Sequence, residues 1–228
     1  MAIDFDFEAP GIHYKFGVVQ DLDSPNFLGG AVPYLLATAD GAASPPPLLG
    51  HMISVNTSSN ERGGIWLMPS GLAPRKIYWE VLKKLGDKLR LDSSSGEGLM
   101  ALLDLRARFA DEVRPDYLLI DARTGVTDLG GLATTILADT VVCMFVANQE
   151  SIDGTLAVVK AIKSAPRLAE QKPIRIVPVL SRAMESDTGF ARSAAGFLNV
   201  DEVFVLPHDD LAASGKLGPL SPLFNAYK

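Results

Sequence analysis

The order of apolar runs along the chain constrains its fold more than any other feature. Amphipathic helical patterns occur at 29–39, 74–89, 96–113, 151–165 and 187–198. Apolar runs typical of strands covered on both faces occur at 2–5, 116–121, 139–147, 174–181 and 202–207, with weaker ones at 51–56 and 64–69. Strand and helix patterns alternate from 96 to 207. This alternation predicts an α/β fold, a doubly wound, mostly parallel sheet with helices on both faces.

The size of the chain fits one domain. It has 228 residues, of which 47% are hydrophobic, so it can bury a large core. The proline-rich stretch 39–50 and the serine-rich stretch 91–98 are too short to indicate a domain boundary. We therefore expect a single domain over 1–228.

Composition also narrows the possible partners and compartment. A net charge of -6 gives no strong signal for nucleic acid, whose phosphates need clustered Lys and Arg. No run approaches the roughly 20 apolar residues that span a bilayer, and no leader-like segment is present. The single cysteine, Cys143, lies in an apolar run and is interpreted as a core residue. These features predict a cytoplasmic protein without an internal disulfide.

Two acids follow the first strand, at the carboxyl edge where open α/β sheets bind ligands. Asp4 and Asp6 are two residues apart, so both should point to one side and Phe5 to the other. Such carboxylates can hold a metal ion through water or orient a nucleophilic water. The alternative is a pair of loop acids that cap a turn.

The run "DYLLIDARTGVTDLGG" places another acid at a strand end. Asp121 closes the apolar run, and Thr124 and Gly125 follow. A strand-terminal Asp can reach a magnesium ion, and a glycine a few residues later can bring a backbone N–H to a terminal phosphate. The alternative is an ordinary turn capped by Asp121.

Polar residues also follow the later strands. They are Asn148 in "NQES", Ser181 and Arg182 in "SRAMESD", and Pro207, His208 and Asp209 in "PHDD". His208 is the one histidine of three at a strand end, and no His or Cys pair has metal-ligand spacing. These residues are expected to line the same carboxyl edge.

Together these segments resemble the ParA/MinD-type (CobQ/CobB/MinD/ParA) ATPases. "AIDFDFEAPG" is similar to the Asp-x-Asp strand that follows their phosphate-binding loop, and "DYLLIDARTGVTDLGG" to their Walker B and switch II region. "MFVANQESIDGT", "PVLSRA" and "VFVLPHDDLAASG" resemble the strand ends that form their base pocket. The match is closest to the subgroup with a variant Lys-Gly-Gly-Val-Gly-Arg loop. It implies a P-loop NTPase-like fold of the SIMIBI type, with Mg²⁺ and ATP as cofactors.

The resemblance also implies roles for individual residues. Asp6 matches the acid that positions the attacking water, and Asp121 the Walker B acid that acts on Mg²⁺ through water. Gly125 matches the switch II glycine. The base pocket would include Ser181 and Arg182, where the family usually has Asn, and the closing loop would include Pro207 and Asp209.

The phosphate-binding loop of the family has no counterpart in these 228 residues. Neither Gly-x-x-x-x-Gly-Lys-[Ser/Thr] nor the Lys-Gly-Gly variant occurs, and "SGKLG" (214–218) lacks the preceding strand and glycine. A strand–loop–helix unit of roughly 30 residues would be needed before Met1. The resemblance therefore predicts a domain truncated at its start, and possibly at its end, and inactive alone.

Three functions stay open from the sequence. The first is an ATPase domain that in complete form hydrolyses Mg-ATP as a nucleotide-dependent homodimer, with a further protein partner. The second is a degenerate, non-catalytic module for dimerisation or protein interaction. The third is a metal-dependent hydrolase that uses Asp4, Asp6 and Asp121.

Overall fold

The chain forms two compact units in a computed structural model. The structure describes residues 1–41, 46–55, 64–72, 76–89, 96–122, 131, 133–165 and 172–210. The first unit spans Met1–Leu137 and the second Ala138–Lys228. Each unit is built on its own sheet, and each is described separately below.

The first unit has a four-stranded sheet in the order β2-β3-β1-β4. Its strands are β1 (Ala2–Asp4), β2 (Ile53–Val55), β3 (Ile65–Met68) and β4 (Leu119–Asp121). Strand β1 is central and pairs in parallel with β3 and β4, whereas β2 joins β3 antiparallel at one edge. Strand β4 forms the other edge among the described strands.

Three helices cover one face of this sheet: α2 (Ala31–Ala39), α3 (Lys76–Leu89) and α4 (Glu97–Arg108), the last extended by a π-helical turn, Phe109–Val113. Ile3 and Met68, which are paired in register, point into the core that these helices close. Phe5 and Phe7 enter the same core, with ring centroids 4.8 Å apart. The apolar alternation of β1 thus continues beyond the end of the strand.

The opposite face packs against the segment that follows β1. It includes the short helix α1 (Ile12–Lys15) and a 3₁₀ turn, Val19–Asp23. Ala2, Leu67 and Ile53 pack there with Val18 and Leu22. Leu119 of β4 is paired with Ala2, yet it is 66% exposed.

The second unit has a parallel sheet in the order β5-β6-β7: β5 (Thr140–Phe145), β6 (Arg175–Ala183) and β7 (Phe204–Pro207). Two helices, α5 (Gln149–Ser164) and α6 (Thr188–Leu198), pack together and close its core. Phe145 and Leu180 lie in this core, whereas Val142 and Met144 of β5 are more than half exposed. A second cluster holds Cys143 against α5.

The predicted fold class is confirmed, since mostly parallel strands and covering helices occur in the predicted order. Most strands are shorter than their apolar runs, but β6 continues to Ala183, beyond its run at 174–181. The helical prediction for 96–113 was too long, because Phe109–Val113 is π-helical. The apolar spacing of α3 predicts a buried face of Ile77, Val81, Leu82 and Leu85, and this is wrong at its start. Tyr78 is 3% exposed and joins Leu85 in the core, whereas Ile77 is 61% exposed. The single-domain prediction stays a prediction.

Candidate active site at the strand ends

Three acids meet at the carboxyl end of the first sheet. Strand β1 delivers Asp4, the loop after it carries Asp6, and β4 ends at Asp121. Asp4 and Asp121 are paired in register, and the Phe5 N–H donates to the Asp121 carbonyl at 2.8 Å. The parallel pairing of two strands that both end in Asp therefore brings together carboxylates 117 positions apart, as the sequence predicted they would lie at one edge.

Asp4 is the most deeply placed of the three acids, with 0% of its surface exposed. One carboxylate oxygen accepts the Asp6 N–H at 3.1 Å. The other accepts the N–H groups of Gly11 and Ile12 at 3.2 and 3.4 Å. Burial raises the pKa of Asp4 to about 6, and the nearby Asp121 charge adds to this, against the lowering effect of the three N–H donors.

Asp6 and Asp121 are the acids open to solvent. Asp6 is half-buried, and its Oδ1 accepts the Ala9 N–H at 3.2 Å. Asp121 is exposed, and its pKa is raised by partial burial first and by the Asp6 charge second. A carboxyl group whose ionisation is disfavoured by a neighbouring carboxylate marks a place where a cation, or a water shared between the two, would be stabilised.

The residues present fit magnesium held through water rather than a metal caged by side chains. Among the described residues, no group of three His, Cys, Asp or Glu side chains is arranged to hold a metal ion. Carboxylate oxygens with open solvent are the ligands that Mg²⁺ accepts while it keeps several waters. Asp6 and Asp121 present oxygens of this kind, so they are the residues that would hold such an ion.

Tyr78 supports this site and was not singled out in the sequence. Its hydroxyl donates to the Phe7 carbonyl at 2.7 Å, within the loop that carries Asp6. Burial raises the pKa of Tyr78 to about 12, and the nearby charges of Asp4 and Asp6 act in the same direction. The spacing of Tyr78, Val81, Leu82 and Leu85 on α3 is the signal that could have found it.

A second set of predicted residues meets at the strand ends of the second unit. The Ser181 hydroxyl donates to the Phe145 carbonyl at 3.1 Å, which links the ends of β6 and β5. Between Leu180 and Ala183 the register with β7 shifts, and Arg182 adopts a left-handed backbone with φ of 54°. This β-bulge turns the exposed Arg182 side chain away from the regular ladder.

The remaining predicted residues of this unit have mixed surroundings. Asn148 caps α5, because its side chain accepts the Ser151 N–H at 2.7 Å. His208 follows β7, its N–H donates to the Ala183 carbonyl at 2.9 Å, and its Nε2 lies 2.9 Å from Asp210. Pro207 is exposed, whereas Asp209 is 6% exposed. The base-pocket roles of these residues stay predictions.

Two predicted residues cannot be placed. Thr124 and Gly125 lie outside the described residues. In the part of the chain that the structure describes, no helix is long and apolar enough to cross a bilayer.

One solved structure shares this architecture over nearly the whole chain. The crystal structure of the Pyrococcus furiosus cell division ATPase MinD superimposes with a TM-score of 0.64 at 18% sequence identity. The match covers 99% of this chain and 80% of that one. No protein-family model matches the sequence, and no curated protein matches it either. The chain therefore has a MinD-like fold, which is the fold that its motifs predicted.

Proposed function

We propose that this chain is the nucleotide-binding domain of a ParA/MinD-type ATPase, and that in complete form it binds and hydrolyses Mg-ATP as a homodimer. The observation that carries the proposal is the placement of Asp4, Asp6 and Asp121 at one strand end of a MinD-like fold. We further propose that the 228 residues alone are inactive, since the sequence contains no phosphate-binding loop.

The proposed chemistry assigns one task to each exposed acid. Bound Mg-ATP would supply the electrophilic phosphorus and the charge-neutralising cation. Asp121 holds the hydration shell of that cation from the end of β4. Asp6, held half-buried by its loop, accepts a hydrogen bond from the attacking water and orients it. Both groups act by position and charge, because phosphoryl transfer needs little covalent chemistry from the protein.

Among the described strands of the first sheet, β4 has no partner on one side, and this free edge supports a phosphate-binding loop supplied from outside these residues. The hydrogen bonds between β4 and its neighbour β1 involve Tyr117, Leu119 and Asp121. The Met1 amino group lies 2.9 Å from the Tyr117 carbonyl. The Tyr117 and Leu119 side chains are 79% and 66% exposed. An edge of this kind, with apolar side chains beside it, accepts a further strand. A strand added there would end beside Asp121.

The test is Mg-ATP binding by calorimetry on the 228-residue chain and on a form extended upstream by about 40 residues of its gene, enough for a strand–loop–helix unit. We expect binding by the extended form alone. An Asp121→Ala variant of that form should lose magnesium-dependent hydrolysis, whereas Asp116→Ala, which removes an exposed acid before β4, should keep it. Light scattering of the extended form with and without ATP measures whether it forms the proposed homodimer.

A non-catalytic interaction module is the second candidate. The lack of a phosphate-binding loop in the sequence favours it, as do the exposed apolar side chains of β4 and β5. Failure of both chain lengths to bind Mg-ATP would favour this function over the ATPase. In that case Asp121→Ala should leave partner binding intact.

A further inference from the structure

The surroundings of Asp4 are those of a residue that binds the protein's own backbone rather than a ligand. It is fully buried, and both carboxylate oxygens are occupied by backbone N–H donors. A buried carboxylate is costly unless it is hydrogen-bonded, and here three donors provide that compensation. All three of these donors belong to the segment that follows β1. Its charge is therefore held by the loop itself.

The three donors come from both ends of the loop that carries Asp6. The Asp6 N–H lies at the start of the loop, and those of Gly11 and Ile12 lie at its end. The carboxylate consequently ties two segments that are five or more positions apart. Between them, the Phe7 carbonyl is fixed by Tyr78. The loop is thus attached to the core at its start, its middle and its end.

We propose that Asp4 is a positioning residue. Its carboxylate binds both ends of the loop from Phe5 to Ile12 and so holds the Asp6 side chain at the carboxyl end of β1, next to β4. The function of this placement rests on the proposed ATPase activity, in which Asp6 orients water. The loop geometry does not depend on that activity. Asp4 serves the site through Asp6, in place of the direct cofactor contact that its position in the sequence suggested.

The first experiment measures amide hydrogen exchange by NMR on the 228-residue chain. Asp4→Asn keeps the shape of the side chain but leaves only one acceptor oxygen, so Gly11 and Ile12 or Asp6 lose their partner. We expect exchange to accelerate about tenfold or more at the amides that lose their acceptor, which are either Asp6 or the pair Gly11 and Ile12, because charge-assisted bonds are lost. Asp116→Asn makes the same change at an exposed acid and should alter none of the three amides.

Unchanged protection of all three amides, Asp6, Gly11 and Ile12, in folded Asp4→Asn would overturn the proposal. If that variant does not fold, the wild-type chain decides. Exchange of the Gly11 and Ile12 amides at least about tenfold slower than in an unstructured peptide supports the proposal, and faster exchange overturns it. The carboxyl carbon resonance of Asp4 gives a second reading, since it should respond to deuteration of these amides.

The second experiment separates positioning from general loss of structure. In the extended, hydrolysing form, Asp4→Asn should lower kcat at least about tenfold while the Kd for Mg-ATP changes less than about threefold. An equal loss in Kd, or an unchanged kcat, would overturn the positioning role. If the extended wild type hydrolyses no ATP, the proposed function fails, and the amide exchange still decides whether Asp4 holds the loop.

Discussion

The hydroxyl of Tyr78 donates a hydrogen bond to the carbonyl of Phe7 at 2.7 Å, and so joins α3 to the loop after β1 across 71 positions of sequence. Both partners are buried, with Tyr78 3% and Phe7 2% exposed. Because Phe7 is almost fully buried, its carbonyl depends on donors from the protein, and among the described residues Tyr78 supplies one. The position of the loop that carries Asp6 therefore depends on how α3 packs against the sheet.

Removing that hydroxyl should destabilise the fold. Tyr78→Phe leaves the Phe7 carbonyl buried without its donor, which costs about 1–3 kcal/mol of unfolding free energy. Urea denaturation measures the loss. Tyr117→Phe, at a residue 79% exposed, deletes the same atom and should change stability by less than about 0.5 kcal/mol. Equal effects of the two variants would contradict the role of the Tyr78 bond.

The buried His13 should make the fold sensitive to mild acid. It is 1% exposed, neither ring nitrogen has a hydrogen-bond partner, and burial lowers its pKa below the ordinary 6.5. The unfolded chain therefore takes up a proton at a pH where the folded chain does not. The contribution of His13 to the unfolding free energy should therefore fall as pH drops below about 6.5, whereas Asp4, whose pKa is raised to about 6, contributes in the opposite direction.

The matching variant is His13→Leu, which removes the titrating ring. It should lose less stability than wild type between about pH 7 and about pH 5 in urea denaturation series. Tyr14→Leu removes the ring beside it, 4.2 Å between centroids, and should keep the wild-type dependence. His51 is also buried with a lowered pKa, so some dependence should persist in His13→Leu.

Gly30 should tolerate no side chain. It precedes α2 with a φ of 80°, and a Cβ there would lie 2.2 Å from the Pro69 carbonyl oxygen. Gly30→Ala combines backbone strain with a clash against backbone, so we expect a loss of about 2–5 kcal/mol. Gly17→Ala has a similar φ of 68° but open space around the new Cβ, and should cost about 1–2 kcal/mol. A smaller loss at Gly30 than at Gly17 would contradict the steric argument.

The free edge of β4 should promote self-association of the isolated chain. Leu119 lies on this edge strand and is 66% exposed. Leu119→Lys places a charge there, as natural edge strands do, and should lower the aggregated fraction in light scattering. Met100→Lys changes an equally exposed apolar residue on α4 and should have the smaller effect. The reverse ranking would indicate that the edge is not the associating surface.

The sequence predicted the elements well because their signals are local. Apolar runs bounded by acids at Asp4 and Asp121 identify strands and their carboxyl ends without knowledge of the packing. The relation between Asp4 and Gly11 could not be read in this way, since it depends on how the loop folds back on the carboxylate. The prediction placed Ile77 rather than Tyr78 on the buried face of α3. Tyr78 is buried there because its hydroxyl donates to a buried carbonyl.

The assignment of Asp6 as the water-orienting acid makes a kinetic prediction for the extended, hydrolysing form. Asp6→Asn keeps the acceptor for the Ala9 N–H but removes the charge, so the loop should stay in place. We expect kcat to fall by about 10²–10⁴ with little change in the Kd for Mg-ATP, because orientation of water matters only in the transition state. Asp21→Asn, at an exposed acid in the 3₁₀ turn, should leave both constants unchanged. A full kcat in Asp6→Asn would assign the water to another group and leave Asp6 with a role in the loop alone.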